Sequence, residues 1–107
     1  PELIVRPRAL TPKDPRILHP AATCIGPITQ ADLGLVEEYE RVKANARSPE
    51  NVKVTVTGPH TLATLAFDDY YHDVRRMMQD IARVLNENLR ALDRAGCRHI
   101  QLDEVAL

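Results

Sequence analysis

No surplus of either charge runs through this sequence: its formal net charge is -1 over 107 residues. That balance removes the electrostatic argument for binding nucleic acid or an anionic membrane surface. No apolar run approaches the roughly 20 residues of a membrane-spanning helix, and no signal-peptide pattern is visible. Cysteine is scarce as well. Cys24 and Cys97 lie far apart and fit no metal-ligand spacing, so two buried thiols in a reducing, cytoplasmic setting are expected. What remains is ordinary for a soluble globular chain of about one domain: 44% hydrophobic and 27% charged residues.

The most informative stretch is His99 to Leu107. An apolar alternation, Ile100 and Leu102, ends in two adjacent carboxylates, Asp103 and Glu104. Gly96 and a long amphipathic run precede it. A strand that ends in acids after a helix is the usual layout of an α/β site, where ligands sit beyond the carboxyl ends of parallel strands. Solvated acids at a strand end account for the pattern about equally well, because surface acids are common.

Residues 1–21 form a proline-rich entry segment with Pro1, Pro7, Pro12, Pro15 and Pro20. Leu3-Ile4-Val5 suits a short strand, and the prolines forbid a helix interior up to Pro20. His19 falls in what reads as a loop, where a solvated ring is the expectation. Residues 22–107 read as a βαβαβ core. Ala22 to Ile25 forms a strand closed by Gly26-Pro27. Leu35, Tyr39, Val42 and Ala46 share one helical face, and Glu37 with Arg41 makes an i,i+4 pair on the other. Val52 to Thr57 is the clearest strand, β-branched and ended by Gly58-Pro59. His60 to Phe67 suits a short helical turn, and Asp68 to His72 a loop. Asp73 then caps a helix whose stripe is Val74, Met77, Met78, Ile81, Leu85, Leu89 and Leu92. Gly96 stops it.

Strands alternating with amphipathic helices predict parallel βαβ units with right-handed crossovers. An open parallel sheet of three or four strands, helices on one face, amounts to about three of the eight units of a (β/α)8 barrel. The expected fold class is therefore α/β, a partial barrel. The chain begins on proline and stops on Leu107 just past a strand, which suggests a fragment of a larger single-barrel domain.

Three blocks in order, Val52-Lys53-Val54-Thr55-Val56-Thr57-Gly58-Pro59, the helix ending at Ala95-Gly96, and Gln101-Leu102-Asp103-Glu104, resemble the cobalamin-independent methionine synthase family. That family's barrel carries "VK-x-x-x-x-GP", then "L-x-x-AG", then "Q-I/L-D-E-P-A-L". The resemblance covers residues from about 22 to 107 and implies a zinc-dependent methyltransferase of methionine biosynthesis. In the family the metal activates the homocysteine thiol as a thiolate, which attacks a methyl group on a folate or a corrinoid. The family's motif aspartate, which holds the substrate's amino group, falls on Asp103. Gln101 and Glu104 match the motif in supporting roles, and Thr57 and Gly58 are expected beside Asp103 at the neighbouring strand end. Side chains alternate along a strand, so Asp103 and Gln101 share one face, which the resemblance turns to the barrel lumen, and Leu102 and Glu104 share the other, where Leu102 packs on the helix layer and Glu104 escapes to the rim.

The sequence departs from the family pattern in three ways. The family's zinc ligands lie downstream of this motif, beyond Leu107, so the chain alone is expected to hold neither zinc nor a catalytic residue. Val105 stands where the motif has proline. Leu65-Ala66-Phe67 stands where folate-using members have a W-S-F triplet. The absent tryptophan removes a ring from pterin recognition and shifts the expectation toward short, single-barrel members with a corrinoid protein as methyl donor. The alternatives are a related epoxyalkane:coenzyme M transferase and a non-catalytic barrel paralogue. A uroporphyrinogen decarboxylase-like barrel is weaker, because its arginine-rich substrate signature is not seen.

Overall fold

A computed structural model of the chain describes residues 3–9 and 18–105, with side chains from residue 22 onward. The elements, in chain order, are β1 (Leu3–Ala9), β2 (Leu18–Cys24), α1 (Leu35–Asn45), a single 3-10 turn (Pro49–Asn51), β3 (Lys53–Thr57), α2 (Pro59–Leu65), β4 (Phe67–Asp68), α3 (Val74–Arg94) and β5 (His99–Asp103). Ala106 and Leu107 lie outside the described residues.

The helix α3 forms where its caps and stripe place it. Asp73 Oδ1 accepts from the backbone N–H of Arg75 at 3.0 Å and of Arg76 at 3.3 Å, filling two of the amide donors a helix start leaves unpaired. At the other end Gly96 takes φ 98°, and the Cys97 N–H donates to Leu92 O at 3.0 Å. A left-handed residue just past the last turn ends the helix with its carbonyls satisfied. Met77, Ile81, Leu85 and Leu92 are buried as the stripe predicts. Two positions differ. Val74, in the first turn, is 53% exposed, because it projects beyond the packed layer. Val84, absent from the predicted stripe, is buried, because Ile28, Ala31 and Leu33 fold against that side of the helix and line a cleft with it.

The segment from residue 25 to 34 has no regular structure of its own and is stitched to α3. Tyr71 Oη accepts from the Ile28 N–H at 2.7 Å and donates to Asp80, and Arg83 Nη2 donates to Ile28 O at 3.0 Å. Asn88 Oδ1 accepts from the Leu33 N–H at 3.0 Å, while its Nδ2 donates to Ala31 O at 2.9 Å. Side chains of the helix, and Tyr71 just ahead of it, thus satisfy backbone groups that a loop cannot pair internally. In α1, Tyr39 is buried with Leu92 and Cys97, whereas Val42, expected on the same face, is 48% exposed. Glu37 and Arg41 form the expected i,i+4 pair at 3.3 Å.

β3 and β5 pair in parallel with Lys53 opposite His99, Thr55 opposite Gln101 and Thr57 opposite Asp103. With α3 as the crossover between them, this is the predicted parallel unit. Val54 and Val56 pack toward the helices. Alternation then turns Lys53, Thr55 and Thr57 to the opposite side.

Elsewhere the strand pairing corrects the sequence reading. β1 runs antiparallel to β2, with Pro7 opposite Pro20, and the strands extend through residues expected to be irregular, including the backbone of His19. The gap between Ala9 and Leu18 is shorter than the dozen or more residues a parallel crossover needs, so antiparallel pairing is the available topology. Facing the two prolines across one rung concentrates the missing donors there. Asp68, expected in a loop, belongs with Phe67 to β4, which pairs in parallel with β2. Among the described residues the single open sheet is split into β1-β2-β4 and β3-β5.

Candidate functional site

The carboxyl ends of β3 and β5 bring the two separated motif blocks together. The register sets Asp103 directly opposite Thr57, and the ladder continues one step further as the Gly58 N–H donates to Asp103 O at 2.7 Å. Asp103 therefore lies on the face turned away from the helices, the face it shares with Gln101 and Thr57. Its side chain is half-buried. Gln101 Nε2 donates to Asp103 Oδ1 at 2.6 Å, and among the described residues Oδ2 has no partner. Lys53 Nζ in turn donates to Gln101 Oε1 at 2.7 Å.

This chain of contacts has a chemical consequence. An amide side chain has a donor end and an acceptor end. The lysine ammonium occupies the acceptor end of Gln101 and turns the donor end to the carboxylate. Asp103 is thereby fixed through one oxygen, and the second is chemically able to accept from a cationic or hydrogen-bonding group, the type of partner that makes strong, charge-assisted bonds to a carboxylate. Lys53 was legible as part of a strand motif, but its partnership with Gln101 follows only from the register.

Glu104 takes a different path. Expected to escape to the rim, it folds back on the first turn of α2. Oε2 accepts from the His60 N–H at 3.1 Å, and Oε1 from the Thr61 N–H at 2.9 Å. These bonds, that of Thr61 the larger, hold its carboxyl below the ordinary value against the opposing effect of burial. The physical reason lies in α2 itself. Its N-cap is Gly58, which has no side chain to offer, and Pro59 takes the first helical position, so the exposed amide donors of the first turn are left for a carboxylate from another element. Leu102, expected to pack on the helix layer, is 49% exposed, and Ile100 is 36% exposed. α3 seats its buried residues on β3, and among the described residues no helix covers this side of β5.

The two thiols occupy separate places. Cys24 is buried and donates to Gly26 O at 3.1 Å, and Cys97 is buried near His99 O. Among the described residues no three His, Cys, Asp or Glu side chains converge to hold a metal ion. No described helix is long and apolar enough to cross a membrane.

Parallel strands joined through a helix, with polar groups gathered past their carboxyl ends, define an α/β-barrel type of domain, and the chain is a partial (β/α)8 barrel. Residues 19–107 match the family described as cobalamin-independent synthase, catalytic domain, and the chain belongs to that family. A methionine synthase of Pyrococcus horikoshii is 40% identical over 73 residues, covering 68% of this chain and 21% of that protein. One from Saccharolobus solfataricus is 36% identical over 73 residues, with 68% and 22% covered. Among solved structures, a B12-independent methionine synthase from a Shewanella species, in complex with selenomethionine, aligns with a TM-score of 0.74 at 28% identity. That alignment covers 83% of this chain and 26% of that one. The chain spans about a fifth of the length of the curated relatives it matches.

Proposed function

We propose that this chain contributes the amino-acid-binding edge of a methyltransferase that makes methionine from a homocysteine-like thiol. The observation that supports this reading is the half-satisfied Asp103 carboxylate, held by Gln101 opposite Thr57 at the carboxyl end of a parallel strand pair. Asp103 receives the substrate's ammonium group, Gln101 fixes the angle of the carboxylate, and Thr57 and Gly58 border the ligand from the neighbouring strand. Charge-assisted hydrogen bonds of this kind contribute roughly 1.5–3 kcal/mol each, enough to choose an amino thiol over a thiol without the amine.

The zinc ion that the family resemblance implies finds no donor set among the described residues. The part played by these residues is to bind and orient the amino acid, and thiol activation falls to groups outside them. The methyl donor is a methylated folate or a corrinoid, and Leu65-Ala66-Phe67, with no tryptophan, favours the corrinoid, carried by a partner protein. Two free, buried thiols suit a reducing compartment such as the cytoplasm. A coenzyme M-type acceptor fits less well, because its sulfonate would meet the Asp103 carboxylate with like charge.

The test uses the intact protein, L-homocysteine and 4-mercaptobutanoate, the same thiol acid without its amino group. Asp103→Asn should weaken homocysteine binding by about ten-fold or more, leave mercaptobutanoate binding near its parent value and leave metal content unchanged. Unaltered homocysteine affinity would remove Asp103 from the substrate site.

A further inference from the structure

We propose that Glu104 is a positioning residue, whose carboxylate clamps the start of α2 to the end of β5 and thereby sets where Asp103 presents its own. The inference rests on the amino-group reading of Asp103.

Three observations converge on it. First, the clamp is bidentate: each Glu104 oxygen takes a separate backbone amide, His60 on one and Thr61 on the other. The Thr61 side chain, 1% exposed, is hydrogen-bonded to the same carboxylate. Second, Gly58 is shaped around this carboxylate. A Cβ at position 58 would stand 2.3 Å from Glu104 Cδ and 2.3 Å from Oε1. Its φ of -76° is open to any residue, so space and not backbone conformation demands glycine here. Third, the same Gly58 donates its N–H to the Asp103 carbonyl at 2.7 Å. Residue 58 is therefore held on both flanks by consecutive residues of the other strand, one through its backbone and one through its side chain.

Direction decides what Glu104 can do. Successive side chains on an extended strand point to opposite sides. Asp103 lies with Gln101 on the face away from the helices, and Glu104 reaches the first turn of α2 on the other. A ligand amino group held by Asp103 is out of reach of Glu104, which acts on it only through the 103–104 backbone and Gly58. A carboxylate that merely capped α2 would stabilise the fold and leave ligand discrimination alone, and that difference is measurable.

The experiment again compares L-homocysteine with 4-mercaptobutanoate in the intact protein, by calorimetry, with the Thr61 amide proton shift followed by NMR. Gln in place of Glu104 keeps the shape but turns an N–H donor toward one of the two amides. Glu104→Gln should move the Thr61 amide resonance and weaken homocysteine binding roughly five-fold, within the range of couplings carried through packed contacts. Mercaptobutanoate affinity should stay within about two-fold. In an Asp103→Asn background the same substitution should add less than about two-fold to the homocysteine loss, because residues acting through one another are not additive. Glu104→Asp, one methylene too short to hold both the His60 and the Thr61 amide, should give the same split by another route and serves if Glu104→Gln does not fold. Full additivity would mean that Glu104 touches the ligand directly, and equal losses for both thiols would mean general damage. Unchanged homocysteine affinity with a shifted Thr61 amide would mean a cap and nothing more. Each of these overturns the proposal. Loss of homocysteine binding in Asp103→Asn alongside a silent Glu104→Gln refutes this inference alone, whereas a silent Asp103→Asn refutes the reading beneath it.

Discussion

Leu92→Ala and Val74→Ala remove side-chain carbon from the same predicted stripe of the same helix, yet the structure assigns them opposite outcomes. Leu92 is 0% exposed and packs with Tyr39 and Cys97 against Val54 of β3, joining α1, α3 and the strand pair that carries the site. Truncation to alanine removes three carbons, at about 0.8 kcal/mol per buried methylene, or about 2.4 kcal/mol in transfer free energy. The surroundings are three elements fixed by their own hydrogen bonds and collapse only partly. An unfilled volume on the order of 40 Å³, at about 24 cal/mol per Å³, adds about 1 kcal/mol. The expected loss is therefore about 3–3.5 kcal/mol, a large share of the roughly 5–15 kcal/mol a domain of this size possesses. Val74, 53% exposed, should change stability by no more than about 0.5 kcal/mol. Urea titration followed by far-UV circular dichroism measures both, provided the slope m is shared so that midpoints report stability. Equal losses in the two variants, or a Leu92→Ala loss below about 1 kcal/mol, would refute the packing argument.

Asp73→Ala should cost about 1 kcal/mol by leaving the Arg75 and Arg76 amides without their acceptor, and Asp73→Ser should recover most of it in the same titration. Gly96→Ala should cost about 1–2 kcal/mol, since φ 98° is a conformation that a Cβ opposes; thermal melts that coincide with the parent's would show that the helix end relaxes freely. The Glu104 carboxyl is held below its ordinary value of 4.5 by the amides of Thr61 and His60. Its contribution to stability is then fully present above the unfolded value and is lost as pH falls through the depressed folded one. The melting-temperature gap between the parent and Glu104→Gln should therefore be widest near neutrality and close in acid, and a gap undiminished in strong acid would contradict the clamp.

The chain's own order of residues determined more of the individual elements than of the sheet they build. The β-branched run ending at Gly58, the stripe of α3 and the glycine at position 96 are local signals. Each acts within one element, through side-chain period, cap chemistry or backbone sterics, and each was legible without a neighbour. Alternation alone also grouped Asp103 with Gln101 on one side of β5 and Leu102 with Glu104 on the other. Tertiary structure decided which neighbour each of those faces meets. Lys53 reaches Gln101 because the β3–β5 register sets them within one diagonal step. Glu104 turns to α2 because a helix beginning Gly-Pro has amides to satisfy and no cap of its own. Val84 is buried because the 25–34 segment folds over it, and β1 returns antiparallel because its connection is too short to cross over. These are contacts between residues distant in sequence. Period fixes which way a side chain points, but only the folded chain fixes what stands there to receive it.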